Sequence, residues 1–377
     1  MLNRIGLLTT FASLCLLIAP VLAAEEPTPG KQVALEFVSK TDPAEKMNYL
    51  LFLPKAYGDD DRKWPVMMFL HGSGERGDNV DLVKLHGPPK LVATRPDFPF
   101  ILISPQCPKD RSWNGEVRLR LLAELLDGVL TKHRTDLSRV SLTGLSMGGF
   151  GTWSMAARWP DRFSAGVPIC GGGNPEQAAS LKTVPLWVFH GAKDEAVPLK
   201  LSEDMVSAVQ KVEGNVKLTI YPEANHNSWT ETYENEAVYQ WILEQRREKP
   251  LPLPTVKTDQ AFVSVGSLNV ILGDPADRQA VSASVYLTAP LDQAATLRRL
   301  VATRKYDLLA AFKKQWETKT ADELAGAAGQ TKSQVAFQTA TTDTLFAAGS
   351  NEKAFELQVV FDQYSVRKNG RLKVDAK

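Results

Sequence analysis

The chain has 377 residues, long enough for one large domain or two with a sizeable core. Apolar residues make up 44% and charged residues 23%, ordinary values for a soluble globular protein. A formal charge of +1 leaves no basic excess for binding nucleic acid.

Residues 1–24 read as a secretory signal. Arg4 supplies a positive start, Ile5 to Ile18 an apolar stretch, and Val21-Leu22-Ala23-Ala24 a small-residue cleavage site. The apolar stretch is short and weakly flanked for a spanning helix, so an uncleaved anchor is the second choice. Leu14 before Cys15 is too bulky for a lipoprotein cleavage site. The expectation is export to the periplasm or the extracellular space, with a near-neutral mature chain free of the membrane once the signal is cut.

From there strands and helices alternate, the signature of an α/β sheet. Gln32 to Val38 and Met47 to Leu53 read as an opening antiparallel pair. Continuous apolar strands follow at Pro65 to Leu70 and Phe100 to Ser104. Between Val117 and His133, Leu121, Leu122, Leu125, Leu126, Val129 and Leu130 recur at helical spacing. Further strands are expected at Val140 to Thr143, Ala165 to Ile169, Pro185 to Phe189 and Val216 to Tyr221, then one amphipathic helix carrying Tyr233, Val238, Trp241, Ile242 and Leu243. Apolar runs without alternation suit a parallel sheet buried on both faces. These elements place a catalytic domain at 25–249.

Alternating prolines in Lys249-Pro250-Leu251-Pro252-Leu253-Pro254 predict a stiff linker at 250–254. Residues 255–377 read as a small α+β accessory domain. Strands are expected at Ala261 to Leu272, Val281 to Leu287 and Phe355 to Phe361, with a helical region from Leu291 to Trp316 and a capping box at Thr320-Ala321-Asp322-Glu323. No catalytic constellation lies there; packing on the catalytic domain and a binding role are both open.

The chemistry centres on Gly144-Leu145-Ser146-Met147-Gly148, where a β-branched strand runs into G-x-S-x-G and then a helix. Such an elbow forces the serine into strained backbone, and side chains two positions away on either side would collide. Gly149 and Gly151 extend the pattern. A serine nucleophile needs a base. Of the five histidines only His190 and His226 follow Ser146, the order that this arrangement requires. His190 ends an apolar strand and is followed by Gly191, so it is expected to shape the turn presenting the acid. His226, in the polar loop Glu223-Ala224-Asn225-His226-Asn227, is the expected base.

Asp194 leaves a buried strand between serine and histidine and is the expected acid. Glu195, its neighbour, would point elsewhere, and Asp161 reads as a structural cap. The backbone N–H of Met147 should supply one oxyanion donor. The other is expected from Ser73, in the small-residue loop His71-Gly72-Ser73-Gly74-Glu75-Arg76-Gly77-Asp78, with Glu75 and Arg76 forming an internal ion pair that holds the loop. Trp113 is a candidate wall of the substrate pocket, in the region where ligands bind such sheets. After signal cleavage only Cys107 and Cys170 remain. They fall at the ends of strands three positions apart, at about 4.8 Å each, beyond the roughly 7 Å reach of a disulfide. Two free, buried thiols are expected.

Four motifs in order, His71-Gly72-Ser73-Gly74-Glu75-Arg76-Gly77-Asp78, Ser104-Pro105-Gln106-Cys107-Pro108, Gly144-Leu145-Ser146-Met147-Gly148-Gly149 and Pro168-Ile169-Cys170-Gly171-Gly172-Gly173, resemble the predicted-peptidase/esterase branch of the α/β-hydrolases. That branch is similar to dienelactone hydrolases, polyhydroxybutyrate depolymerases and feruloyl or acetyl-xylan esterases. The resemblance covers roughly residues 31–248 and implies an eight-stranded sheet carrying a Ser-Asp-His triad. The short connection between Ile169 and Pro185 leaves no room for an inserted lid, so an open site for a bulky or polymer-linked acyl group is expected. The reading is an exported serine hydrolase acting on a small or polymer-linked ester, with no metal or organic cofactor implied. A peptidase of the same fold is the alternative, and a non-catalytic carbohydrate- or cell-wall-binding protein on a hydrolase scaffold is the rival from another class.

Overall fold

A computed structural model describes residues 27–42, 44–250, 253, 260–272, 279–290, 294–303, 310, 340–341, 356–361, 367–368 and 371–372. The expected signal at 1–24 and the capping box at 320–323 lie outside these residues.

The first part of the chain is built on one sheet of eight strands: β1 (Gln32–Val38), β2 (Lys46–Phe52), β3 (Trp64–Leu70), β4 (Ile101–Pro105), β5 (Thr135–Leu145), β6 (Ala165–Ile169), β7 (Leu186–Gly191) and β8 (Val216–Tyr221). Their order in space is β1-β2-β4-β3-β5-β6-β7-β8. The first two strands pair antiparallel and β2 pairs antiparallel with β4; from β4 to β8 every pairing is parallel. Because β3 lies between β4 and β5, the chain turns left after β3 and right after β5. Loops at the carboxyl ends of those two strands therefore part around a crevice, the place where open α/β sheets bind ligands.

The central strands are buried on both faces, which explains their unbroken apolar sequence. Along β3, Val66, Met68 and Leu70 enter one core while Met67 and Phe69 enter the other. Helices α1 (Gly87–Leu91), α2 (Glu116–Lys132), α3 (Met147–Arg158), α4 (Lys200–Lys211), α5 (Trp229–Glu234) and α6 (Glu236–Glu244) cover the two faces. The first core takes Leu122 and Leu126 of α2, Trp153 of α3 and Met205 of α4; the second takes Tyr233, Val238 and Ile242 of α5 and α6. Leu122 and Leu126 are fully buried, each contributing about 1.5–3 kcal/mol relative to exposure. The single helix expected near the end of the domain is two, broken at Asn235, whose side chain accepts the Ala237 N–H at 3.0 Å and so caps α6.

Beyond Leu253, which packs against the first core, the described residues form a separate antiparallel sheet. Its strands β9 (Gln260–Leu272), β10 (Gln279–Pro290), β11 (Ala340–Thr341) and β12 (Glu356–Phe361) lie in the order β11-β12-β10-β9. On β9, Ala261, Val263 and Val265 are buried and share one face of the strand. Residues 294–303 are helical and bury Ala294, Leu297, Leu300 and Val301. Arg298 on this helix donates to Asp42 at 2.9 Å, tying the unit to the first part of the chain.

Candidate active site

Strand β5 ends at Leu145 and α3 begins at Met147, leaving Ser146 alone at the turn with φ 52° and ψ −118°. Such backbone costs a non-glycine residue on the order of 1–3 kcal/mol and persists because the surroundings leave no alternative. The Ser146 N–H donates to the Ile169 carbonyl of β6 at 2.9 Å. A Cβ at Gly144 would stand 2.4 Å from the Gly148 carbonyl oxygen, and one at Gly148 would stand 1.8 Å from that of Leu70. The glycines flanking the serine are thus demanded by close backbone approach.

His226 lies in the loop between β8 and α5. Its Nε2 is 2.9 Å from Ser146 Oγ and its Nδ1 is 2.7 Å from Asp194 Oδ2. Because the carboxylate only accepts, Nδ1 carries the proton and Nε2 presents its lone pair to the serine hydroxyl. Asp194 follows β7, and its Oδ1 accepts the N–H groups of Ala196 and Val197 at 2.9 and 2.8 Å. Burial raises the Asp194 carboxyl, but hydrogen bonds from His226, Val197 and Ala196 outweigh it and hold the group below the usual carboxylate range. Gly191 lets the two loops meet: a Cβ there would stand 2.2 Å from the Asn225 carbonyl. The Trp229 ring packs edge-on against the His226 imidazole, centroids 5.3 Å apart. Glu195 is exposed, and Asp161 pairs with Arg247 at 2.9 Å as a structural group.

Met147 is the first residue of α3, so its N–H has no acceptor within the helix. Ser73 opens a short 3-10 turn, Ser73–Glu75, after β3. The register pairing Leu70 with Gly144 sets this turn beside the elbow, and Gly72 packs so closely that a Cβ there would meet Leu145 Cδ1 at 2.8 Å.

Sequence reasoning missed what holds that loop. His71 is fully buried; its Nε2 accepts the Cys107 N–H at 2.9 Å, so Nδ1 donates to the Gly72 carbonyl at 2.6 Å. Burial lowers its pKa to about 4, so the ring is neutral. Gln106 Nε2 donates to the carbonyls of Glu75 and Asn79 at 2.9 and 2.7 Å. Trp113 requires a correction. It has no exposed surface, and its Nε1 donates to the His71 carbonyl at 2.9 Å. It braces the loop from below and walls no pocket. The Glu75–Arg76 ion pair is also corrected: Arg76 bonds the carbonyls of Ser73 and Arg111, while buried Glu75 lies 3.8 Å from His71 Nδ1 and 3.7 Å from His86 Nε2. Cys107 and Cys170 are free and buried, as expected.

Among the described residues, one group has metal-ligating geometry: Cys170, Asp194 and His226, with ligand atoms within 4.8 Å of one another. Two of these are already engaged in the Ser146 chain, and burial raises the Cys170 thiol to about 12, which disfavours the thiolate a metal would need. No described helix is long and apolar enough to cross a membrane.

A mostly parallel sheet, an elbow after its fifth strand and polar loops from the next strands define an α/β-hydrolase fold. Residues 111–241 match the model of the dienelactone hydrolase family. The chain is similar to poly(3-hydroxyalkanoate) depolymerase C of Paucimonas lemoignei, 45% identical over 58 residues, 15% of this chain and 14% of that protein. It is 34% identical over 83 residues to the probable acetylxylan esterase A of Aspergillus clavatus, 19% of this chain and 27% of that protein. A solved thermostable esterase superposes with a TM-score of 0.50 at 33% identity, covering 57% of this chain and 63% of that one. The chain thus spans well under a third of these two curated relatives.

Proposed function

We propose that the protein hydrolyses carboxylic esters through an acyl-enzyme on Ser146. The observation that carries this is the unbroken hydrogen-bonded chain from Ser146 Oγ through His226 to Asp194, at 2.9 and 2.7 Å. In this reading His226 removes the hydroxyl proton as Ser146 attacks the ester carbonyl. The amides of Met147 and Ser73 receive the oxyanion, and Asp194 stabilises the imidazolium. His226 then protonates the departing alcohol and activates water against the acyl-enzyme. An alcohol leaves more readily than an amine, so a generic site suffices. Export of the enzyme and absence of a cofactor belong to the same proposal.

Substrate size follows from the rim. Cys170 to Pro185 connects β6 to β7 with a single 3-10 helix, Pro175–Leu181, which supports reading the site as lidless. An open site suits a bulky or polymer-linked acyl group, in keeping with the names of the depolymerase and the acetylxylan esterase. The test is a panel of p-nitrophenyl, feruloyl, acetyl-xylan, hydroxybutyrate and peptide substrates with wild type and Ser146→Ala. Ester turnover lost in the alanine variant is expected. Turnover confined to peptides, or undiminished in the variant, would overturn the reading.

A further inference from the structure

Two histidines flank the Asp194 carboxylate. Oδ2, which takes the His226 proton, also lies 3.1 Å from Nε2 of His190, a fully buried residue at the end of β7. That same Nε2 is 2.9 Å from the Val197 carbonyl. The carbonyl only accepts, so Nε2 carries a proton and donates it to Val197, with Asp194 Oδ2 lying alongside. The opposite ring nitrogen, Nδ1, is fixed at 2.8 Å by Ser202 Oγ on α4, and Ser202 reaches the Gly171 carbonyl at 2.8 Å. Gly171 in turn abuts α3 directly behind the nucleophile: a Cβ there would stand 2.6 Å from the Gly149 carbonyl carbon. The contacts thus run from the acid through β7 and α4 back to the elbow.

We propose that His190 is a positioning residue for the Ser146–His226–Asp194 chain, holding the Asp194–Val197 turn through its bond to the Val197 carbonyl and lying against Asp194 Oδ2; this rests on the catalytic reading above. With Oδ1 pinned by two amides, one of them that of Val197, and Oδ2 bonded to His226 and flanked by His190, the carboxylate has one orientation, and it aims His226 at Ser146. Without the His190 donor the Asp194–Val197 turn can shift, and an acid displaced by about 1 Å costs on the order of 100-fold in rate. The turn-shaping role expected for His190 thus extends to the acid itself.

His190→Met and His190→Gln separate this from mere space-filling. The two side chains have similar length and volume, and only glutamine keeps a donor. The expected result for His190→Met is a kcat about 10- to 100-fold lower with KM within about threefold; His190→Gln should recover most of the loss. Equal losses in both variants, or wild-type kcat in His190→Met, would overturn the proposal. If His190→Met fails to fold, Ser202→Ala, which frees Nδ1 and the Gly171 carbonyl, should lower kcat about three- to tenfold at unchanged KM; no change would refute it. Proton NMR of the His226 Nδ1–H bonded to Asp194 needs no turnover. That resonance should move upfield or broaden in His190→Met and persist in His190→Gln. An inactive wild type would count against the ester reading, whereas an unmoved resonance counts against the role of His190.

Discussion

Replacing Gly148 with alanine would put a methyl group 1.8 Å from the Leu70 carbonyl oxygen and 2.8 Å from that of His71. Non-bonded heavy atoms rest at about 3.5 Å, so the elbow and the loop after β3 must part by roughly 1.5 Å. The obstacle is backbone, which cannot swing aside as a side chain would. Overpacking of this kind costs about 1–3 kcal/mol, and a rigid obstacle favours the upper end. The same separation pulls the Met147 amide away from Ser73 and tilts Ser146 relative to His226, where a shift of about 1 Å costs on the order of 100-fold. Gly148→Ala should therefore lose about two orders of magnitude in kcat/KM on p-nitrophenyl acetate and roughly 4–12 °C in Tm. Gly74→Ala is the control, since a Cβ at Gly74 meets nothing within 4 Å although it neighbours Ser73. If both variants behave alike in melting and turnover, the close-approach argument for the elbow is wrong.

Asp194 links the site to acid stability. Its carboxyl is held below the usual range, so it stabilises the fold above the unfolded value of about 3.9 and loses that contribution as pH falls through the folded value. In denaturant titrations, the stability gap between wild type and Asp194→Asn should be full near neutrality and close in acid; a gap independent of pH would contradict this. The thiols give a second check. Burial pushes Cys107 and Cys170 up to about 11 and 12, so neither should react with a disulfide reagent at about pH 8 until the protein is unfolded. Rapid modification of the native protein would show that the buried placement is wrong.

Much of the site was legible because its constraints are local or ordered along the chain. The need for Gly144 and Gly148 arises within a few residues of Ser146, and chain order left few partners. His226 and Asp194 followed from that order. The bracing of the loop after β3 was not legible. His71, Gln106 and Trp113 act across 36, 31 and 42 residues, and hydrogen bonds between loops leave no periodic signature. Trp113 reads as a loop residue in sequence, yet it is buried because Gly151 leaves space for it; a Cβ at Gly151 would stand 2.5 Å from Trp113 Cβ. The run of glycines beyond the elbow was the available signal. Adjacent Glu75 and Arg76 suggested an ion pair, but on a helical turn neighbours point apart, and Arg76 bonds the carbonyls of Ser73 and Arg111 instead. Asn235 was a readable cap, overlooked because the apolar pattern continues across it.

The central claim is a covalent acyl intermediate on Ser146. Rapid acid quench during turnover of a p-nitrophenyl ester, followed by peptide mass analysis, tests it most directly. The account predicts an acyl adduct on the peptide containing Ser146, formed with a burst of p-nitrophenol and absent from Ser146→Ala. Turnover with no adduct, or an adduct on another residue, would contradict it.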